Sequence, residues 1–210
     1  MANLGALTEA IEAGDRASAV RITREAVDEG LDPRTVLAAM TTAMEVIGAR
    51  FQCQEIYVPE MLISARAMKE ATAVLEPVLV QAGIRPEHTA VIGTIKGDLH
   101  DIGKNLVGMM WKGASIEVID LGTNVGPERF VEAAKEHGAH IVGISALLTT
   151  TMVGMKDVVA AIRAADLAGV KVIVGGAPVT QDYADQIGAD GYASDAASAV
   201  EAARKALRGA

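Results

Sequence analysis

Thr89-Ala-Val-Ile-Gly-Thr-Ile-Lys-Gly-Asp-Leu-His-Asp-Ile-Gly-Lys-Asn105 decides the fold, because three kinds of local structure meet in it. Thr89–Thr94 is a short β-branched run, the pattern of a strand buried on both faces. Lys96–Asn105 is polar and punctuated by Gly97 and Gly103, the pattern of a loop entering a helix. A strand, a glycine-bearing loop and a helix make the opening unit of a parallel α/β sheet.

Reading outward toward the C-terminus, the unit repeats. Strands are expected near Ser115–Asp120, Ile141–Ser145, Lys171–Val174 and Gly191–Ala193. Helices are expected near Gly103–Lys112, Pro127–His137, Met152–Asp166, Thr180–Ile187 and Asp195–Arg208. Five such units predict a doubly wound, flavodoxin- or Rossmann-like parallel sheet, whose ligands sit beyond the carboxyl ends of the strands.

Reading outward toward the N-terminus, the period changes from two to between three and four. Val36, Met40, Met44, Ile47 and Phe51 form one apolar stripe, and Met61, Ala65, Met68, Thr72, Leu75 and Leu79 form another. Asp32-Pro33 and Pro59-Glu60 open these two helices, and shorter ones near Leu4–Glu12 and Asp15–Glu29 precede them. The methionines read as bundle core. Pro77 is expected to kink or end the fourth helix, and Gln81–Pro86 reads as a linker. The fold class is therefore α/β with an N-terminal four-helix bundle cap, divided into a helical domain over residues 1–83 and an α/β domain over residues 84–210.

Composition narrows the function. With 210 residues the chain can bury a sizeable core unaided, and its single cysteine, Cys53, forms no internal disulfide or thiolate cluster. A net charge of −8 and an aromatic content of 3% argue against nucleic acid as a partner. No stretch is apolar over the length of a membrane span and residues 1–30 lack a signal-peptide pattern, so a cytoplasmic protein is expected.

The loop fails the phosphate-binding templates. A P-loop has four residues between its glycines, and Lys followed by Ser or Thr; here five residues separate Gly97 from Gly103, and Asn105 follows Lys104. The spaced-glycine dinucleotide fingerprint is absent, and a phosphoacceptor domain would close its third strand on aspartate where this chain has Ser145. What remains is Asp98 beside His100: a common metal ligand, and a carboxylate able to fix its tautomer. His88, His137 and His140 fall on other elements, so one protein ligand would suffice only if a cofactor brought the rest. Read by itself, the loop is better explained by Asp98 or Asp101 capping the next helix, with His100 a solvated residue. Two further strand ends, Gly143-Ile-Ser-Ala-Leu-Leu-Thr-Thr-Thr-Met152 and Val174-Gly-Gly-Ala-Pro178, are small and hydroxyl-rich, leaving a slot at the sheet edge.

Together, Asp98-Leu-His100-Asp-Ile-Gly103, Ser145-Ala-Leu147 and Gly175-Gly176 resemble the D-x-H-x-x-G, S-x-L and G-G signature of cobalamin-binding domains. The chain is similar to the corrinoid proteins of methylamine, methanol, betaine and methoxyaromatic methyltransferase systems, and to the cobalamin module of methionine synthase. Met44–Phe51 and Tyr57-Val-Pro59 resemble the helical cap of that family. The resemblance implies a cobalt corrinoid with His100 as axial ligand and Asp98 as its hydrogen-bonding partner. It places Gly97, Asp101, Ile102, Gly103, Ser145, Leu147, Thr149, Gly175 and Gly176 around the cofactor, with Phe51 and Val58 covering its methyl-bearing face. Thr151 stands where methionine synthase completes a relay with serine, and keeps the hydroxyl while adding a methyl. The implied function is a methyl carrier that turns over little alone. Its implied partners are a substrate-specific methyltransferase subunit, an acceptor methyltransferase using tetrahydrofolate or a thiol, and a reductive activase. The alternatives are a cobalamin sensor, the cobalamin subunit of an isomerase, and a cofactor-free α/β interaction module.

Overall fold

The computed structural model describes residues 2–167 and 169–208. They form two compact units, one running to Pro86 and including Gly113–Ser115, the other made of Glu87–Lys112 and the residues from Ile116 onward.

The first unit holds four helices, α1 (Leu4–Glu12), α2 (Arg16–Asp28), α3 (Pro33–Gln52) and α4 (Val58–Gln81). Each begins where a side chain satisfies a first-turn amide or the amide just before it. Asn3, Asp15 and Asp32 accept from Ala6, Ser18 and Arg34 at 3.2, 3.1 and 3.1 Å, and Glu60 reaches back to the Tyr57 N–H at 3.1 Å. The methionine stripe is core: Met40, Met44, Met61 and Met68 are all buried. Pro77 does not end α4, which continues to Gln81. Its ring frees only the carbonyl of Ala73, both residues are exposed, and water can satisfy that group one turn from the helix end.

The second unit is a parallel sheet of five strands in the order β2-β1-β3-β4-β5, where β1 is His88–Thr94, β2 Ile116–Asp120, β3 Ile141–Ser145, β4 Lys171–Gly175 and β5 Gly191–Ala193. The connecting helices are α5 (Ile102–Gly113), α6 (Pro127–Glu136), α7 (Thr149–Met152), α8 (Met155–Ala164), α9 (Gln181–Ile187) and α10 (Ala196–Arg208). Val91, Ile141, Val142 and Val172 are fully buried, and burying such a side chain contributes roughly 1.5–3 kcal/mol. Gly93 and Gly143 leave room for two aromatic rings: a β-carbon there would come within 2.9 Å of Phe130 or 2.6 Å of Trp111. The helix expected over Met152–Asp166 is α8, and before it lies a short helix the sequence did not suggest, α7, separated from α8 by a break at Val153-Gly154. That break makes a separate turn of Thr149–Met152 directly after β3.

The order of strands reverses between β1 and β3, the place where such sheets open a crevice. Thr94, Ser145, Gly175 and Ala193 stand in register along the carboxyl edge.

Candidate functional site

The chain leaves β1 through a turn in which the Asp98 N–H donates to the Ile95 carbonyl at 3.1 Å. Gly97, at φ +85°, takes the third position of that turn, where a left-handed conformation favours glycine. The turn delivers Asp98 into the protein, 0% exposed, while the His100 side chain stays 53% exposed.

Asp98 is saturated with donors. Its Oδ1 accepts the His100 N–H at 3.1 Å and faces His100 Nδ1 at 2.7 Å. Its Oδ2 accepts the Leu147 N–H at 2.8 Å, the Leu148 N–H at 3.3 Å and the Thr151 hydroxyl at 2.7 Å. Burial pushes the carboxyl up, but the hydrogen bonds from Leu147, Thr151 and His100 together outweigh it and hold the group well below the usual carboxylate range. An ionised Asp98 only accepts, so Nδ1 of His100 carries a proton, and in the neutral imidazole the lone pair is at Nε2. That nitrogen has no hydrogen-bond partner among the described residues.

Asp98 therefore does not cap the helix that follows it; its carboxylate reaches across the sheet edge to the loop after β3. Asp101 does the local work, accepting the Asn105 N–H on its carbonyl at 2.8 Å and the Asn105 amide on Oδ2 at 3.1 Å. Thr151 sits in α7, and Tyr183 steadies that turn by donating its hydroxyl to the Met152 carbonyl at 2.7 Å. The added methyl of Thr151 faces Gly97, 3.6 Å from where a β-carbon would stand there.

Other expected residues of this edge are open. Ile102 is 74% and Leu147 44% exposed, and a β-carbon on Gly103 would meet nothing within 4 Å. Ser145 and Thr149 have hydroxyls without a partner among the described residues. Gly175 and Gly176 have a reason inside the fold: a β-carbon on Gly175 would lie 2.8 Å from the Ala193 carbonyl oxygen, and one on Gly176, at φ +128°, 1.8 Å from that of Ala146. Phe51 and Val58 belong to the helical unit, where each is half-buried.

Sequence reasoning missed the supports beneath His100. Thr94, fully buried, donates its hydroxyl to the His100 carbonyl at 2.9 Å. Lys104, 2% exposed, places its ammonium on Asn105 Oδ1 at 2.6 Å and on Asp120 at 2.7 and 2.5 Å. Asn124 bonds to the turn of Gly97 and Asp98 through both its side chain and its backbone. No spacing joins 104 to 120 or 97 to 124, so only the left-handed tolerance of Asn could have drawn the eye to Asn124.

Among the described residues no three His, Cys, Asp or Glu side chains gather to hold a metal ion. Asp98 and His100 thus offer one oriented imidazole nitrogen, beside exposed Leu99 and Ile102. This donor set fits a metal that brings its remaining ligands in a macrocycle with an apolar edge.

Comparison with known proteins agrees. Residues 88–201 match a B12 binding domain, and residues 4–76 match a second family model, also a B12 binding domain. A corrinoid protein of Desulfitobacterium hafniense is 43% identical, over 99% of this chain and 98% of that one. Trimethylamine corrinoid protein 2 of Methanosarcina acetivorans is 40% identical, over 92% and 91%. Among solved structures, a chain of the methanol:cobalamin methyltransferase complex of Methanosarcina barkeri superposes with a TM-score of 0.86 at 28% identity, over 98% of this chain and 79% of that one. A cobalamin-binding protein of Desulfitobacterium hafniense gives 0.82 at 28% identity, over 98% and 99%. The sheet edge, its oriented histidine and the likeness over nearly the whole length agree, and the chain belongs to the corrinoid proteins with B12-binding domains.

Proposed function

We propose that this chain holds a cobalt corrinoid with His100 as axial ligand and carries a methyl group between methyltransferases of the methylamine and methanol class. The observation that carries the reading is the Asp98, His100, Thr151 chain, which presents a single half-exposed nitrogen with its lone pair outward. Two relatives, named for trimethylamine and for a methanol:cobalamin methyltransferase complex, supply the class of partner. When bound, the corrinoid supplies a cobalt centre able to accept and release a methyl group.

The residues themselves bind, orient and hold a proton. Asp98 keeps the proton of His100 on Nδ1 and so keeps Nε2 free for metal. Thr151 donates to Asp98 and passes no proton onward while Asp98 stays ionised. Leu99, Ile102 and Leu147 offer apolar surface, and the free hydroxyls of Ser145 and Thr149 offer polar contacts for a nucleotide tail. A substrate-specific methyltransferase subunit would load the carrier, and an acceptor methyltransferase, using tetrahydrofolate or a thiol, would unload it with a reductive activase in support. Residues 84–210 contain every one of these side chains, so we assign the ligating histidine and its surroundings to that domain, with residues 1–83 as the four-helix cap domain.

The test is reconstitution with hydroxocobalamin, followed by reduction and electron paramagnetic resonance. With nitrogen-isotope-labelled protein, wild type should show a labelled nitrogen ligand to cobalt, distinct from the cofactor's own base, that His100→Ala lacks, and should accept methyl groups from a methylamine or methanol methyltransferase. Identical spectra from both proteins would refute histidine ligation. Failure to take up any corrinoid would refute the carrier reading.

A further inference from the structure

We propose that Asn124 is a positioning residue for His100, clamping the turn that carries Asp98 and His100 to the end of the sheet. The proposal rests on reading His100 as the cobalt ligand. Asn124 lies in the connection between β2 and α6 and adopts φ +58°, a left-handed conformation that Asn tolerates better than most residues. That conformation lets one residue hold two successive positions of the turn. Its side-chain Oδ1 accepts the Gly97 N–H at 2.8 Å, and its own N–H donates to the Asp98 carbonyl at 3.0 Å. No other hydrogen bond among the described residues reaches the Gly97 N–H or the Asp98 carbonyl.

The clamp is itself mounted rigidly. The Leu121 N–H donates to Ile92 at 2.8 Å, the Thr94 N–H to Gly122 at 2.9 Å and the Val125 N–H to Thr94 at 2.9 Å, which hooks the connection over the end of β1. At its base Asp120 accepts the Gly122 N–H at 2.8 Å while its carboxylate is gripped by buried Lys104. The carboxylate bonds of Asp98 fix its side chain to the loop after β3. They leave the Gly97 N–H and the Asp98 carbonyl to Asn124. A ligand must sit within a fraction of an ångström of its working position, and backbone supports of this kind set that position.

The chemistry of the clamp orders its variants. Asp keeps both the left-handed tolerance and the acceptor, Gly keeps only the conformation, and Ala keeps neither. Two readouts test it at one fixed pH. In the apoprotein, Asn124→Ala should speed hydrogen exchange of the Gly97 and His100 amides about tenfold, with Asn124→Gly between and Asn124→Asp close to wild type. In nitrogen-isotope-labelled protein loaded with hydroxocobalamin and reduced, the fraction of cobalt bound to the labelled protein nitrogen should fall in the same order. Unchanged exchange in Asn124→Ala overturns the clamp, as does an Asn124→Asp protein as impaired as Asn124→Ala. Faster exchange with an undiminished nitrogen-ligated fraction overturns its role toward His100. If wild type and His100→Ala give the same cobalt spectrum, histidine ligation falls and this assignment falls with it, while the exchange result still separates a failed clamp from a failed ligand.

Discussion

The sheet carries a histidine pairing at each end of β1, and the two are built in opposite ways. At the carboxyl end His100 leans on a buried carboxylate that five donors hold in place, so its proton and its orientation are set. At the amino end His88 meets His140 edge-on, ring centroids 5.2 Å apart and planes at 74°. His140 Nδ1 accepts the Thr89 N–H at 3.2 Å, but His88 Nδ1 is buried without a partner among the described residues. An edge contact between rings fixes no proton, whereas a carboxylate anchored by backbone amides fixes both proton and ring. The contrast shows which histidine the fold invests in.

Breaking the anchored pair should have the largest effect. Asp98→Ala leaves the Leu147 N–H and His100 Nδ1 without their acceptor inside the protein and the Thr151 hydroxyl with only the Leu148 carbonyl, and should cost about 2–4 kcal/mol in urea unfolding. The pH dependence has a definite sign. Because the folded-state carboxyl of Asp98 titrates below its ordinary value, its stabilisation is full above about pH 4 and is lost as the pH falls through the folded-state value. Asp98→Asn should remove that part of the acid sensitivity, seen as a flatter melting temperature between about pH 5 and pH 3. A loss below about 1 kcal/mol for Asp98→Ala would erase the contrast between the two ends.

The glycines of the carboxyl end sharpen the comparison, because two of them have different reasons to be there. Gly176→Ala would drive a methyl to 1.8 Å from the Ala146 carbonyl oxygen at φ +128°, so it should cost at least about 1–3 kcal/mol whether or not a cofactor is bound. Gly103→Ala meets nothing within 4 Å in a helix, and should stabilise the apoprotein by up to about 1 kcal/mol. If that open side is used by a corrinoid, Gly103→Ala should weaken its binding while strengthening the fold. Unchanged affinity, measured by titration with hydroxocobalamin, would place the macrocycle away from Gly103. A signature glycine can thus be kept for a backbone or for a ligand, and Gly176 alone does not report on the nucleotide tail.

His100→Ala should change cobalt ligation and leave stability within about 1 kcal/mol of wild type. The ring is half-exposed, and Asp98 keeps its amide and hydroxyl donors without it. Loss of several kcal/mol in the apoprotein would make His100 a structural residue.

Much of this was legible in the sequence, and the remainder was hidden for identifiable reasons. The strands were readable because burial on both faces demands unbroken β-branched runs, and β3 and β4 fall where those runs fall. Asp98 and His100 were readable because they lie two residues apart in one loop. Thr151 was named as a relay candidate from the resemblance, yet its bond to Asp98 spans 53 residues. The break at Gly154 went unseen because Met152–Asp166 keeps helical spacing throughout, and α7 is held as a separate turn by bonds from residues distant in sequence, Thr151 to Asp98 and Tyr183 to Met152. Asn124, Thr94 and the pair of Lys104 and Asp120 act through bonds that no spacing rule encodes. Pro77 does not end α4, since an exposed proline near a helix end frees a carbonyl that water can serve.

The smallest expected effect lies at the amino end and tests the comparison from its other side. His88 Nδ1 is buried with no partner among the described residues, so wild type already bears the desolvation of that nitrogen. Replacing a polar group that makes no bond with an apolar one of similar size removes that penalty and loses only the edge contact with His140. His88 opens β1, whose other residues supply the ladder with β2 and β3, and an aliphatic side chain suits that half-buried position. His88→Leu should therefore leave stability unchanged or raise it by about 0.5–1 kcal/mol, with corrinoid affinity and the cobalt spectrum the same as wild type. The measurement pairs urea unfolding of the apoprotein with a hydroxocobalamin titration. A destabilisation above about 1 kcal/mol would mean that His88 holds a partner, such as a bound water, and that the two ends of β1 are more alike than their bonding suggests.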